Sequence, residues 1–205
     1  MSRYPSLTWA EARSESPSRN DAEIDQLIQN CLAGNEAAYR LLYERHASLV
    51  YRLAYSLLQQ REDAEEVMQD SFEYAFRKLS NYDARQSAFT TWLYRITVSR
   101  CRNKRRRKRF SILPLSKLAP SGIEDENAPL PDLLIERSET QQAVWDALRD
   151  LSPKLLETAV LRYFYGLRYQ EIGEILGISP KTAESRMRLA HQKLRDSLTT
   201  GEESA

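Results

Sequence analysis

The sequence predicts an all-α protein with two small helical domains, a four-helix unit and a helix-turn-helix unit, joined by an extended linker. Three observations point there. From Glu23 to Arg109 apolar residues recur at three- and four-residue steps, the period of helices that bury one face. Pro114, Pro120, Pro129 and Pro131 then break the period among Ser, Gly and acidic residues. The period returns around Val144 and holds almost to the C-terminus, and no alternating run competes with it. The 205 residues suit one large or two small domains, and a 41 % apolar share suits a chain that buries a core.

The elements follow in order. Residues 1–22, rich in Ser, Arg and Pro, read as a disordered tail. The first domain is expected over 23–109. Asn35 is placed to cap a long helix whose stripe is Tyr39, Leu42, Tyr43, His46, Val50, Leu53, Ala54 and Leu57. A helix starting near Glu62 buries Ala64, Val67, Met68, Phe72, Ala75, Phe76 and Leu79. After the polar loop SNYDARQS, a fourth helix from about Ala88 turns Phe89, Leu93 and Ile96 inward and runs into a basic tract. Helices of this size can close one core. Residues 110–138 are too long for a loop inside a compact domain and read as an acidic, partly extended linker. The second domain is expected over 139–199, with a polar tail at 200–205. In it Ser152 caps a helix opened by Pro153, and Gly166 ends that helix. Helices over Tyr169–Leu176 and Pro180–Leu198 complete it.

Composition removes several function classes. No GxxxxGK[ST] or GxGxxG stretch exists, which argues against nucleotide chemistry of those kinds. Cys31 and Cys101 form no CxxC pair, and only His46 and His191 supply imidazole, so neither a metal site nor a bound cofactor is expected. Unpaired cysteines fit a reducing compartment. No apolar run reaches membrane-spanning length and the N-terminus lacks a signal-like core, so a cytoplasmic protein without membrane insertion is expected.

A net charge of +1 hides strong segregation. Eight of the ten residues from Arg100 to Arg109 are basic, whereas six of the thirteen from Arg61 to Glu73 are acidic. Separate charged faces suggest separate partners.

The most specific local signal is YQEIGEILGISPKTAESRMRLAHQKL. Gly177 supplies a left-handed turn, Ile178 plugs the space between two helices, and Ser179 and Pro180 start the second. This is a helix-turn-helix with Ala183, Met187, Ala190 and Leu194 inward. Lys181, Thr182, Glu184, Ser185, Arg186 and Arg188 point outward, where Arg can pair with guanine and Lys, Ser and Thr can hold phosphates or base edges. A plain helical hairpin with a solvated basic face is the simpler alternative.

The basic tract alone could be a solvated tail or a localisation signal. It continues a helix, however, and follows Phe89, Trp92 and Tyr94. Basic side chains neutralise phosphates and aromatic rings stack on unpaired bases, so this helix is suited to a single strand or a melting duplex. Core packing is the bland reading for Phe89 and Trp92; Tyr94 is expected as the exposed ring. On the acidic helix, Glu62, Asp63, Glu65 and Glu66 suit the helix N-terminus. Gln69, Asp70 and Glu73 lie beyond that effect and suggest a protein partner with a basic surface.

The stretches DAEEVMQDSFEYAFRKL, SAFTTWLYRITVSRCRNKRRRKR and ALRDLSPKLLETAVLRYFYGLRYQEIGEILGISPKTAESRM resemble the bacterial sigma-70 family in its small extracytoplasmic-function branch. The resemblance implies a subunit of RNA polymerase that recognises promoters and promotes melting by binding, not by catalysis. Asp63, Glu66, Gln69 and Asp70 would dock on the clamp helices of β′. The loop 80–87 with Phe89 and Trp92 would capture a base flipped from the −10 box; Tyr94, Arg100, Arg102, Asn103, Arg105 and Arg106 belong to the same surface. Lys181, Thr182, Ser185, Arg186 and Arg188 would read the −35 box while the domain sits on the β flap. An anti-sigma factor is an implied partner beside core polymerase and promoter DNA. Three positions depart from the family pattern: Leu189 stands where another Arg is usual, His191 where a basic residue is common, and Leu151-Ser152-Pro153 replaces a Leu-Pro pair.

Two rival readings remain at this level. A conventional duplex-DNA regulator would bind its operator unaided, usually as a dimer, yet no spare apolar stripe is visible for dimerisation. A nuclease would need converging carboxylates, whereas those of the acidic helix spread along a face.

Overall fold

The computed structural model describes residues 17–111 and 145–202. Among these residues every regular element is helical: α1 (Pro17–Leu32), α2 (Glu36–Leu58), α3 (Arg61–Arg77), a 3₁₀ turn (Leu79–Asn81), α4 (Phe89–Ser111), a short segment 145–149, α5 (Pro153–Tyr163), α6 (Tyr169–Leu176) and α7 (Pro180–Glu202). The region between α4 and 145, which holds nearly all of the expected linker, lies outside the described residues, as do 1–16 and 203–205.

Local chemistry sets the boundaries. Asn35 Oδ1 accepts a hydrogen bond from the Ala38 N–H at 3.2 Å and so caps α2. Gln59, in the left-handed region at φ 55°, ends α2. Pro153 opens α5 after Ser152. One boundary differs from expectation. α1 reaches back to Pro17, within the segment read as a disordered tail. Proline is accepted in a first turn; Ile24 is the first buried large apolar residue of α1, so the sequence carries no apolar period to mark the turns before it.

Two apolar clusters hold the molecule. One joins α1, α2, α3 and the start of α4 through Ile24, Ile28, Leu42, Val50, Phe72, Leu79, Phe89, Leu93 and Ile96. The other does not stop at the edge of the first unit. It runs from Leu53, Leu57, Val67, Tyr94, Val98 and Cys101 into Leu148, Leu156, Val160, Leu161, Ile172 and Met187. The two units are therefore packed on one another, not held apart as independent bundles. α4 makes this possible by presenting two stripes: Phe89, Leu93 and Ile96 toward the first cluster, and Tyr94, Val98 and Cys101 toward the second. α5 lies at the centre of the joint, with all seven residues from Leu155 to Leu161 buried. A helix buried on every side is a core helix.

Candidate nucleic-acid and partner-binding surfaces

At the start of α4 the aromatic residues form a cluster. Phe89 is only 2 % exposed and packs against His46, Tyr82 and Trp92, with ring centroids 5.2, 5.4 and 5.7 Å away. It is a core residue and supports the half-buried Tyr82 and Trp92, whose rings lie 5.5 Å apart. The Tyr82 hydroxyl donates to the Ser87 carbonyl at 3.1 Å, pinning the 80–87 loop beside Trp92. Within that loop the Arg85 side chain and backbone both donate to Asp83, which lowers the Asp83 pKa to about 2. His46 Nδ1 lies 2.9 Å from the Leu42 carbonyl, so it carries the proton and donates. Burial pushes the His46 pKa down against the opposing pull of that bond.

The expectation of an exposed ring at Tyr94 is not met. Tyr94 is 4 % exposed and meets Tyr165, from the loop after α5, edge-on at 5.0 Å. Two turns on, Cys101 is fully buried, and its thiol pKa is raised to about 12 by desolvation. The reason is the second stripe of α4, which a pattern search assigns to solvent when it allows only one buried face.

The basic half of α4 is heavily paired. Arg102 donates to Glu157 of α5 through Nη2 at 2.8 Å and Nε at 3.2 Å. Arg105 Nη1 reaches the same carboxylate at 3.4 Å, and its Nη2 donates to the Leu57 carbonyl at 3.4 Å. Arg106 bonds Asn103 at 3.2 Å, and the Arg100 guanidinium lies over the Tyr74 ring at 4.6 Å. Lys104 pairs with Asp63 at 3.4 Å and with Glu66, and Lys108 pairs with Asp63. The acidic face of α3 is thus laid along the basic face of α4. Of the four expected docking residues, Asp63 is buried within these pairs and Glu66 holds Lys104, while Gln69 is exposed and Asp70 half-buried. Glu66, Asp70, Arg100, Asn103, Lys104 and Arg107 line a shallow cleft between the two helices.

In the second unit the turn between α6 and α7 is tight. Gly177 sits at φ 69° and caps α6. Gly173 is needed for a different reason: a Cβ there would meet the Ile178 carbonyl oxygen at 2.7 Å. Ser179 Oγ accepts from the Thr182 N–H at 3.1 Å and shares a 2.8 Å hydrogen bond with the Thr182 hydroxyl, fixing the first turn of α7. Ala183, Met187 and Ala190 are buried as expected. Lys181, Thr182 and Arg188 are exposed, and Ser185 and Arg186 half-buried, so the outer face of α7 stays open in the packed molecule. Leu189 is 51 % exposed beside them.

Sequence reasoning missed Glu157, Tyr165 and the pairing of Lys104 and Lys108. One signal was present. Glu157 stands between Leu156 and Val160 at a register position that the helical period buries, and an acid there needs a partner. Among the described residues no group of three or more His, Cys, Asp or Glu is placed to hold a metal ion, and no helix is long and apolar enough to cross a membrane.

Comparison with known proteins matches these surfaces to described modules. Residues 42–111 match the family model for sigma-70 region 2, and residues 141–194 that for sigma-70 region 4. The chain is 36 % identical over 160 residues to the ECF RNA polymerase sigma factor SigE of Mycolicibacterium smegmatis, covering 77 % of this chain and 60 % of that one. It is 30 % identical to the ECF RNA polymerase sigma-E factor of Haemophilus influenzae, over 84 % of this chain and 93 % of the other. Among solved structures, CnrH in complex with the cytosolic domain of CnrY aligns with a TM-score of 0.62 at 25 % identity, covering 85 % of this chain and 96 % of that one. The sigma factor RpoE of Bartonella quintana, solved with the anti-sigma factor NepR, shares the fold with a TM-score of 0.60 at 21 % identity, over 78 % and 96 % of the two chains.

Proposed function

The chain belongs to the sigma-70 family, in its extracytoplasmic-function branch, as an RNA polymerase sigma factor of transcription initiation, and on that premise we propose how its surfaces divide the work. In this reading region 2 spans 23–109 and region 4 spans 139–199. Gln69 and Asp70, with Asp63 and Glu66 once freed from their lysines, dock on the β′ clamp helices, and region 4 sits on the β flap. Lys181, Thr182, Ser185, Arg186 and Arg188 read the −35 duplex. Trp92, backed by Phe89 and Tyr82, takes an unpaired base of the −10 element. Arg100, Arg102, Asn103, Arg105 and Arg106 hold its backbone. Tyr94 acts from beneath, as a packing residue. Cytoplasmic location, an anti-sigma partner and action by binding, without chemistry of its own, complete the reading.

Melting on this account is differential binding. Unstacking a base costs a few kcal/mol, and a base–aromatic contact returns about 1–3 kcal/mol. The observation that carries the reading is an open helix-turn-helix face in the same chain as a basic helix headed by an aromatic cluster. Run-off transcription from genomic fragments with core polymerase tests it. Specific transcripts are expected only when the chain is added. A chain that binds an operator alone and never associates with polymerase would support the rival, a conventional regulator.

A further inference from the structure

We propose that Glu157 is a latch: its carboxylate takes the Arg102 and Arg105 guanidinium groups that DNA phosphates take in the working complex, so the free chain keeps its −10 helix masked by its own region 4. The proposal rests on the reading above, that α4 holds DNA.

Four observations carry it. The Glu157 side chain is 3 % exposed, and its hydrogen-bond partners, Arg102 and Arg105, both belong to the other unit. A carboxylate buried inside one domain for that domain's own stability would draw partners from it. The same joint covers Tyr94 with Tyr165 and buries Cys101. The joint is also imperfect. Arg105 is held by two long bonds of 3.4 Å, and its Nε, like Gln59 Nε2, is buried without a partner. Orphaned donors regain hydrogen bonds when the surfaces part, and an ion pair that opens into water exchanges attraction for hydration. The closed form is therefore built to be left. Finally, the packed molecule cannot serve both promoter elements. Boxes at −35 and −10 lie about 85 Å apart along B-form DNA, whereas a compact body of this size measures about 40 Å across. The units must separate in the working complex, and separation frees both arginines.

The two cysteines supply the test. Cys101 lies in the joint, and Cys31 is buried in the other apolar cluster, away from region 4. In the full-length chain, Glu157→Gln is expected to speed alkylation of Cys101 by N-ethylmaleimide about tenfold, the shift of a latch worth one decade in the closing equilibrium, while Cys31 stays slow. Glu174→Gln removes an exposed acid from the same unit and is expected to leave both thiols at the wild-type rate. The isolated Glu157→Gln chain is also expected to bind a fluorescent single-stranded −10 oligonucleotide about tenfold more tightly than Glu174→Gln does, and this advantage should vanish once core polymerase has opened both. Equal Cys101 rates in the two variants overturn the latch. Cys31 and Cys101 accelerating together overturn it as well, since that is unfolding. If no form binds promoter DNA even with polymerase, the role of α4 fails instead, whatever Cys101 does.

Discussion

His46 shows how a residue can titrate within the scaffold beneath the aromatic cluster. Its ring is buried against Phe89 and donates from Nδ1 to Leu42. Burial lowers its pKa below the ordinary 6.5, so the folded state prefers the neutral ring. The unfolded chain then binds more protons below that value, and stability falls as pH drops through the window beneath 6.5. Thermal unfolding is expected to show a Tm that declines from pH 7.5 to pH 5.5, with a smaller decline in His46→Gln. Equal slopes would remove His46 as the cause. Beside it, Trp92 is half-buried and rests on Phe89 and Tyr82. Trp92→Ala is expected to slow promoter opening about tenfold, in line with the loss of one base-stacking contact, while closed-complex affinity changes little. Stopped-flow fluorescence of a −10 probe beside filter binding separates the steps; equal losses in both would deny it a melting role.

At the scale of the element, the helices were largely legible because each carries a period and a cap. Asn35, Pro153 and Ser179 do what their side chains dictate, and Gly177 what its missing Cβ allows. The start of α1 was not legible, because its first turns are polar. Nor was the second stripe of α4, because Tyr94, Val98 and Cys101 overlap a face that also carries charge. Gly173 was hidden for another reason: its necessity is a through-space approach to Ile178, which no local pattern encodes. Gly173→Ala is expected to destabilise region 4 by about 1–3 kcal/mol, the usual cost of overpacking, and to weaken −35 duplex binding through a displaced α7. Calorimetry and duplex titration check both. Lys181, exposed in the first turn of α7, is expected to act on phosphate. Lys181→Ala should weaken binding evenly across sequences and reduce the salt slope by about one; a change in base preference would make it a reader of bases.

Across the whole molecule, the surprise for sequence reasoning is the joint between the units. A charge pattern can announce a basic helix and an acidic helix, but not that they neutralise each other or that a third acid arrives from Glu157. Because one apolar cluster spans both units, the isolated chain is expected to unfold in a single calorimetric transition. Leu156→Ala, at the centre of that cluster, should cost about 2–5 kcal/mol and lower the one transition without splitting it. Two well-resolved transitions in the parent chain would mean that the units fold independently.

The ion pairs of α4 bear on where the protein spends its time in a cell. A stretch with eight positive charges in ten residues would cling to any chromosome, and nonspecific sites outnumber promoters by a factor of about a million or more. With Arg102, Arg105, Lys104 and Lys108 committed to Glu157, Asp63 and Glu66, fewer condensed counterions would be released if that helix met random duplex, although Arg106 and Arg107 stay exposed. A wandering subunit stays free to find its enzyme first and a gene second.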